Sequence, residues 1–240
     1  MKQTMEEDFL QKIKVSSITA DDIIDIQSKT KLQSSSKLWK EQRQYRITSS
    51  TFGTICKATE RRDIEKLLNS LFGDTEFTSL ATNHGKKYEN VAVRKFEAET
   101  GKTSDSCGIF VSIERPMLAA SPDRILNSNA VIEVKCPFSA RQLKITPKSV
   151  PYLYIKNTGE LSLKETHDYY YQIQGQLYCT ERKLCKFVVY TLKDMKIIDV
   201  NYDQEFINSM LLKLDDFYVK FFKPALIERF FYHCESKYNF

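Results

Sequence analysis

Apolar and polar positions follow a helical period before residue 101, whereas strand-like and helical segments both occur after it. The clearest helical segment predicts a helix over residues 79–100 that ends at Gly101, a residue well suited to a helix C-terminus. Its apolar positions recur at spacings of three and four residues: Tyr88, Val91, Ala92 and Phe96. One stripe of this helix is therefore expected to face the core.

Capping residues and apolar spacing predict further helices on both sides of this one. In the N-terminal segment, Thr19 as N-cap and Asp22 three residues later form a capping-box pattern. The other helices are expected to follow Ser49 or Ser50 as N-cap, to cover residues 63–72 and 165–179, and to run from Asp203 to a break or kink at Pro224.

Segments typical of strands lie at residues 108–113, 117–126, 130–136, 184–192 and 196–202. The last two are expected to form a hairpin around Lys193-Asp194, and a basic, proline-punctuated connection follows residue 136. The order of elements predicts an α/β (α+β) fold, in which helices flank a mixed central β-sheet. The serine run at residues 34–36 predicts a boundary between an N-terminal helical arm (1–36) and a single domain (37–240).

Length and composition are ordinary for a globular protein. The chain has 240 residues, 42% of them hydrophobic and 28% charged, which predicts one sizeable core and excludes a largely disordered chain. No apolar run reaches the roughly 18–20 residues that span a bilayer, and the N-terminus lacks a signal-peptide pattern. We therefore expect an intracellular protein, in the cytoplasm or nucleus of its host.

The cysteines and histidines argue against zinc and disulfides. The six cysteines include no C-x-x-C pair, and the three histidines, His84, His167 and His233, have no spacing that indicates a metal site or a triad. We expect reduced, mostly buried thiols and structural or surface histidines. The cysteines are Cys56, Cys107, Cys136, Cys179, Cys185 and Cys234.

The net charge of +5 is mild, but its distribution is uneven. Residues 29–62 hold nine basic residues against Glu41 and Glu60, and residues 134–158 hold five basic residues and no acidic one. Two basic segments on a nearly balanced remainder favour a polyanionic partner, although a solvated surface explains the charge equally well.

Three charged residues are expected to crowd one face of a predicted hairpin. The turn at residues 127–129, if centred on Ser128, sets Asp123 directly opposite Glu133. Lys135 lies two residues after Glu133 on the same strand and therefore on the same face. Two carboxylates this close stay ionised together only if a cation lies between them, and oxygen ligands favour Mg²⁺ or Mn²⁺ over zinc. Such an ion can activate a water, and Lys135 can orient that water or stabilise the transition state. The alternative is a surface hairpin with salt bridges.

Five blocks in a fixed order resemble the lambda-exonuclease-like (YqaJ-type) viral recombinase family of the PD-(D/E)XK nuclease superfamily. Together they extend from about Trp39 to Tyr190. They are Trp39-x-x-x-Arg43-x-x-x-Ile47-Thr-Ser-Ser50, Gly85-Lys-Lys-Tyr-Glu89-Asn, Ser121-Pro-Asp123, Glu133-Val-Lys135-Cys-Pro-Phe-Ser and Gln172-Ile-Gln174.

The resemblance implies a PD-(D/E)XK restriction-endonuclease-like core and a role for each matching residue. The implied metal ligands are Asp123, Glu133, Glu89 and the backbone carbonyl of Val134. Lys135 would act on the attacking water, and Gln172 would assist there or at the scissile phosphate. Gln174 lies two residues later, about 200° around the predicted helix, so the two glutamines cannot both face one site, and Gln172 is preferred. The implied contacts to the terminal 5′-phosphate are Arg43, Ser50 and Ser121.

Several of these residues have other interpretations. Arg46 could bind phosphate instead of Arg43 or contact the duplex, and Glu89 could be a solvated charge. Arg124 stands where the family usually has glycine, so it would either strain the turn or add a phosphate contact. The aromatic residues Trp39 and Tyr169-Tyr170-Tyr171 could stack on bases, although core packing is favoured.

The function implied by the resemblance is a Mg²⁺-dependent deoxyribonuclease, with Mn²⁺ as a substitute ion. It would hydrolyse double-stranded DNA from a free 5′ end, in recombination or DNA processing. A structure- or sequence-specific endonuclease and a catalytically silent DNA-binding recombination module are the alternatives. A homotrimer and a single-strand annealing protein are the partners that analogy suggests.

Overall fold

The computed structural model describes residues 2–73 and 79–232. The helices are α1 (Lys2–Lys12), α2 (Ala20–Lys29), α3 (Lys37–Gln44), α4 (Ser49–Cys56), α5 (Ile64–Phe72), α6 (Leu80–Thr100), α7 (Asp168–Thr180), α8 (Gln204–Phe217) and α9 (Lys223–Ile227). The strands are β1 (Ile47–Thr48), β2 (Phe110–Val111), β3 (Leu118–Ala120), β4 (Arg124–Ile125), β5 (Ala130–Lys135), β6 (Leu153–Ile155), β7 (Leu161–Leu163), β8 (Leu184–Tyr190) and β9 (Met195–Asn201).

The main sheet has the strand order β4-β5-β8-β9. Strands β5 and β8 run parallel, whereas the β4–β5 and β8–β9 pairs are antiparallel. The predicted mixed sheet flanked by helices is therefore confirmed. A smaller sheet has the order β1-β3-β2, and β6 and β7 form a separate hairpin.

Helices α6 and α7 cover opposite faces of this sheet. On the α6 side, Ala92 and Phe96 pack with Ile132 of β5. On the α7 side, Ile173 packs with Val131. Because side chains alternate along a strand, the even-numbered residues of β5 face α6 and the odd-numbered ones face α7. Glu133 and Lys135 therefore point toward α7.

Most of the predicted helices form close to their expected bounds. Thr19 and Asp22 make the complete capping box at the start of α2. Helix α6 begins after Ser79 as N-cap and ends at Gly101, whose φ of 66° is left-handed. The N-cap of α4 is Thr48, so the predicted Ser49 or Ser50 is one or two residues late.

The start of α7 also differs from the prediction. It begins at Asp168 because His167 has an extended backbone and its side chain accepts a hydrogen bond from the Tyr169 N–H. After α8, whose N-cap is Asp203, a π-helical turn at Tyr218–Phe222 interrupts the helix. Pro224 then lies in the first turn of α9, where its missing N–H costs nothing.

Two strand predictions are corrected. The segment 117–126 is divided into β3 and β4, because Pro122 lies between them and has no N–H to pair. The segment predicted as a connection after residue 136 contains the β6–β7 hairpin, whose Leu153 and Leu163 are buried. Helices α1 and α3 were not predicted, since each is short and polar.

The first 36 residues contribute to the same core as the rest. Leu10 and Val15 are buried in a cluster that includes residues of α8 and α9. The Thr30 hydroxyl accepts a hydrogen bond from the Ile109 N–H at 2.9 Å. The division of the chain near residue 36 stays a prediction. Among the described helices, none combines the length and the apolar character that a bilayer crossing requires.

Candidate active site

A cavity of about 650 Å³ opens at the C-terminal end of β5, between the N-terminal half of α6 and the N-terminus of α7. Five of the predicted site residues line it: Glu89, Asp123, Glu133, Val134 and Lys135. Its wall also includes Tyr152 and Tyr169. Acidic residues from three different parts of the chain thus share one cavity.

The predicted register between Asp123 and Glu133 is confirmed. In the β4–β5 pair, Arg124 lies opposite Ile132, and Leu126 donates its N–H to the Ala130 carbonyl at 3.0 Å. Asp123 directly precedes β4, and its Oδ2 accepts a hydrogen bond of 2.7 Å from the Val134 N–H. The strand that carries Glu133 and Lys135 therefore also holds the carboxylate of Asp123.

Glu133 is only 2% exposed, and three side chains donate to its carboxylate. Oε1 accepts from Lys135 Nζ at 2.6 Å and from Gln172 Nε2 at 2.7 Å. Oε2 accepts from Gln176 Nε2 at 2.6 Å. A buried carboxylate with several donors is stabilised in its charged form, because each donor replaces hydration that burial removes.

Of the two glutamines considered from the sequence, Gln172 reaches the cavity residues and Gln174 does not. Gln174 donates to the Asn201 carbonyl at 2.8 Å and accepts from the Asp203 N–H at 3.0 Å. Gln176 was not predicted. It lies four residues after Gln172 and so on the same face of α7, which is the signal that could have revealed it.

The electrostatics of the cavity are those of crowded carboxylates. Burial, together with the charges of Glu133 and Glu89, raises the pKa of Asp123 well above its ordinary value. Burial alone would lower the pKa of Lys135, but the Glu133 and Asp123 carboxylates outweigh burial and raise it above the ordinary value. Lys135 is therefore a fixed positive charge, and the site still favours further positive charge near Asp123.

Glu89 extends the acidic set from α6. Burial raises the pKa of Glu89, and so does the charge of Glu133, whereas the nearby Arg124 guanidinium lowers it. Arg124 donates to the Asp123 carbonyl at 2.7 Å and to Asn90 Oδ1 at 2.6 Å. Its φ is not positive, so the residue in place of the usual glycine causes no backbone strain. Arg124 joins β4 to α6, and both hydrogen bonds are internal to the protein.

A second cavity, of about 290 Å³, contains Arg43 and borders the first. Thr82 and Lys86 of α6 line both cavities. Arg43 Nη2 donates to Ser50 Oγ at 3.3 Å, so the structure brings together two of the residues expected to hold a phosphate. Partial burial lowers the pKa of Arg43 to about 10, which leaves it charged at neutral pH.

Trp39 connects these two parts of the site. Its ring lies 4.4 Å from the Arg43 guanidinium carbon, measured to the ring centroid. Its Nε1 donates to Ser121 Oγ at 2.9 Å. Ser121 precedes Asp123 by two residues, so α3 is tied to the segment that carries a predicted metal ligand. Trp39 packs against Ile109 and its neighbours, as favoured from the sequence.

The Arg46 side chain is held inside the protein, and Arg46 also lines the cavity that contains Arg43, so its binding of phosphate stays a prediction. Arg46 is 2% exposed and its guanidinium is occupied by acceptors inside the protein. Nε donates to the Pro116 carbonyl at 2.8 Å, Nη1 donates to the Gln42 side chain at 2.5 Å, and Nη2 donates to the Lys14 carbonyl at 2.9 Å. Arg46 therefore joins the turn after α1, helix α3 and the loop before β3, and all three of its guanidinium nitrogens already have an acceptor in the protein.

Within the tyrosine run, Tyr170 and Tyr171 pack against other residues of the protein, whereas Tyr169 lines the cavity. Lys135 Nζ lies 4.4 Å from the centroid of the Tyr169 ring. Tyr170 is buried and donates to Asp203 at 3.1 Å, and Tyr171 packs against Phe206.

His84 contacts Tyr88 and Phe138, and His167 caps α7, so both are structural. His233 and Cys234 lie outside the described residues, and the five described cysteines are free, four of them buried.

The donor set fits a hard divalent cation. Within residues 2–73 and 79–232, no three side chains of His, Cys, Asp or Glu are grouped closely enough to hold a metal by themselves. Mg²⁺ commonly takes only one or two carboxylates and keeps several waters, so Asp123 and Glu133 satisfy its usual protein share. The charged residues that line the cavity are three acidic ones, Glu89, Asp123 and Glu133, and two basic ones, Lys86 and Lys135, so a cation would offset the remaining negative charge. A zinc site would instead need thiolate or imidazole ligands. Among the described residues that line this cavity there is no histidine and one thiol, Cys136, and burial raises the pKa of Cys136 to about 12, so it is not a thiolate at neutral pH.

Two curated relatives align with the chain. An uncharacterized protein (R354) of Acanthamoeba polyphaga mimivirus is 26% identical over 64% of this chain and 28% of its own length. The alkaline nuclease of Autographa californica nuclear polyhedrosis virus is 22% identical over 83% of this chain and 52% of its own length. The chain thus spans between about a quarter and about half of these relatives.

The fold is shared with a solved structure. An alkaline exonuclease from Laribacter hongkongensis superposes with a TM-score of 0.63 at 22% identity, and the match covers 83% of this chain and 97% of that one. This likeness confirms the PD-(D/E)XK-like fold implied by the motifs. Residues 38–183, more than half of the chain, match the family described as the YqaJ-like viral recombinase domain. The chain belongs to that family.

Proposed function

We propose that this chain is a metal-dependent deoxyribonuclease that uses Mg²⁺ and degrades double-stranded DNA from a 5′ end. The observation that carries the proposal is the shared cavity of Asp123, Glu133 and Lys135 at the end of β5. A buried carboxylate and a half-buried one beside a fixed ammonium contribute less to stability than apolar residues of similar size would. Carboxylates that can hold a cation, beside an ammonium that can face a phosphate, are the groups that hydrolysis of a phosphodiester needs.

The metal would be held by Asp123 and Glu133, with Glu89 and the carbonyl of Val134 as further oxygen donors. Once bound, a divalent cation supplies an activated water and neutralises charge that develops on the phosphate. The roles of the protein groups follow from their own hydrogen bonds.

Lys135 stabilises charge and does not remove a proton. An ammonium has three N–H donors, of which one is directed to Glu133 Oε1 and one to Gln172 Oε1, at 3.2 Å. The third can donate to a phosphate oxygen or to the attacking water. Gln172 contributes by holding Lys135 and Glu133 in a fixed relation through its own amide.

The two adjoining cavities favour action at an end. Arg43 offers a charged fork to a phosphate, in a cavity that shares Thr82 and Lys86 with the acidic one. Ser50, whose hydroxyl accepts a hydrogen bond from Arg43, would add a second hydrogen-bonding group. A terminal 5′-phosphate bound at Arg43, with Ser121 close to the same strand, would direct a following phosphodiester toward Asp123. The alkaline exonuclease and alkaline nuclease among the relatives support the same function.

Recombination or DNA processing is the setting that family membership favours, and a single-strand annealing protein and a homotrimer stay proposals.

The test of the proposed nuclease activity is digestion of 5′-end-labelled linear duplex in Mg²⁺ by the wild type and by Lys135→Ala. We expect the variant to lose activity by at least about 10²-fold, because it lacks a charge aimed at the transition state. Undiminished digestion by Lys135→Ala would overturn the proposal.

A further inference from the structure

Gln176 is a buried side chain that the mechanism above leaves without a role. It is 0% exposed, lies in the middle of α7 and does not line the cavity. Its Nε2 donates to Glu133 Oε2 at 2.6 Å. No described residue hydrogen-bonds to its Oε1, which is also buried. A buried amide oxygen without a partner costs free energy, so the amide group is not explained by its contribution to stability.

We propose that Gln176 is a positioning residue that fixes the rotation of the Glu133 carboxylate for metal binding. The inference rests on the proposed function, because it assigns Glu133 to a metal. Gln172 and Gln176 are one helical turn apart on α7 and hold the two oxygens of Glu133 separately. Gln172 and Lys135 hold Oε1, and Gln176 holds Oε2.

The physical reason for this arrangement is the freedom of a glutamate carboxylate. Its last torsion has a broad and roughly two-fold preference, so the strand alone does not fix the plane of the two oxygens. A donor on each oxygen removes that freedom. Because Gln176 is fully buried, it keeps Oε2 toward α7 and leaves Oε1 on the Lys135 side.

Gln174 supplies a matched control on the same helix. It is also 0% exposed, it is two residues away, and its side chain contacts the backbone of Asn201 and Asp203 and the Tyr170 hydroxyl. Replacing Gln174 therefore removes a buried amide of the same size without touching Glu133. A general loss of packing should affect Gln174→Leu and Gln176→Leu alike, whereas loss of carboxylate positioning should affect Gln176→Leu alone.

The first measurement is calorimetric titration of Mg²⁺ into the DNA-free protein at a temperature where all variants are folded. Outer-shell partners of metal ligands typically change metal affinity or activity by about 10- to 100-fold. We expect Gln176→Leu to weaken Mg²⁺ binding within that range and to lower kcat with the KM for DNA unchanged. Gln174→Leu should bind Mg²⁺ like the wild type. Equal Mg²⁺ affinities in the wild type and Gln176→Leu would overturn the inference.

The second measurement needs neither metal nor activity. Denaturant unfolding in EDTA gives a double-mutant cycle for Gln176→Leu with Glu133→Gln, and another for Gln174→Leu with Glu133→Gln. Coupling in the first cycle alone supports the inference, and equal coupling in both overturns it. A wild type that binds no Mg²⁺ and cuts no DNA would refute the proposed function as well. A wild type that does both, beside a Gln176→Leu protein that matches it, would refute the inference alone.

Discussion

Lys135 Nζ and Glu133 Oε1 lie 2.6 Å apart on one face of β5, with the Glu133 side chain buried and the Lys135 side chain largely so. A buried ion pair contributes little net stability, because the loss of hydration offsets the attraction. The pair nevertheless fixes an ammonium and a carboxylate at the edge of a cavity that also contains Asp123 and Glu89. The pair is therefore better explained by phosphate chemistry than by stability.

Substitutions at Arg43 and Arg46 should have different effects: the first should weaken phosphate binding, and the second should lower stability. We expect Arg43→Gln to lower activity on 5′-phosphorylated ends by about 10- to 100-fold, since a charge-assisted hydrogen bond contributes roughly 1.5–3 kcal/mol. The free energy of unfolding should fall by no more than about 1 kcal/mol, because Arg43 is partly exposed and its side chain contacts Ser50 and the Trp39 ring. The measurement is the rate on 5′-phosphate and 5′-hydroxyl duplexes. An unchanged preference for 5′-phosphate would contradict the assignment.

Arg46→Met is the matched control. The substitution leaves the carbonyls of Pro116 and Lys14 without their guanidinium donor inside the protein. We expect it to lower the free energy of unfolding by about 2–4 kcal/mol. The folded fraction should keep its preference for 5′-phosphate, and loss of that preference would show that Arg46 has the role assigned to Arg43.

Asp123→Asn should stabilise the metal-free protein near neutral pH. A carboxyl whose pKa is raised by folding binds its proton more tightly in the folded state. Its contribution favours folding at low pH and is lost as the pH rises through the folded-state pKa. We therefore expect Asp123→Asn to unfold at higher urea than the wild type at pH 7 in EDTA, by on the order of 1 kcal/mol. The difference should shrink toward pH 4.

In the presence of Mg²⁺, the wild type should be more stable than Asp123→Asn. Saturating Mg²⁺ stabilises a protein that binds it only when folded, so the wild type should gain stability and Asp123→Asn should gain much less. Calorimetry on the same two proteins also discriminates against a binding-only module, which needs no carboxylate-dependent metal site. Identical Mg²⁺ binding by Asp123→Asn and the wild type would contradict the metal assignment.

Arg124→Gly should move the acidic limb of the pH–rate profile to higher pH. The Arg124 guanidinium lowers the pKa of Glu89 against the effect of burial, so its removal raises that pKa. Activity that needs ionised Glu89 is then lost at a higher pH. Asn90→Ala is the control, because it removes the partner of Arg124 and keeps the charge. An equal shift of the acidic limb in Arg124→Gly and Asn90→Ala would show that the hydrogen bond between Arg124 and Asn90 controls the pKa of Glu89 and that the Arg124 charge does not.

Short-range rules were enough to predict the centre of the site. A turn at residues 127–129 fixes a register, and a period of two places Glu133 and Lys135 on one face, so their meeting with Asp123 could be predicted. The burial of Arg46 could not, because its acceptors at Pro116 and Lys14 are distant in sequence. The β6–β7 hairpin was missed since strands of three residues carry too little period.

The helix faces were partly predictable. Helical spacing excluded a common orientation for Gln172 and Gln174, and the structure directs them to different partners. The same spacing favours Gln176 beside Gln172, but only the packing of α7 on β5 shows that both amides meet Glu133. Motif blocks identified the family, while the hydrogen bonds of each residue needed the fold.

A carboxylate–lysine site that cuts DNA from an end with Mg²⁺ should need both a free DNA end and the metal. The most direct test is incubation of the wild type with linear duplex and with covalently closed circular duplex of the same sequence, in Mg²⁺ and in EDTA. We predict that the linear DNA is degraded in Mg²⁺ and intact in EDTA, and that the circle stays uncut in both. Cutting of the closed circle would show that the protein is an endonuclease. A linear duplex that stays intact in Mg²⁺ would show that the protein is not a Mg²⁺-dependent deoxyribonuclease.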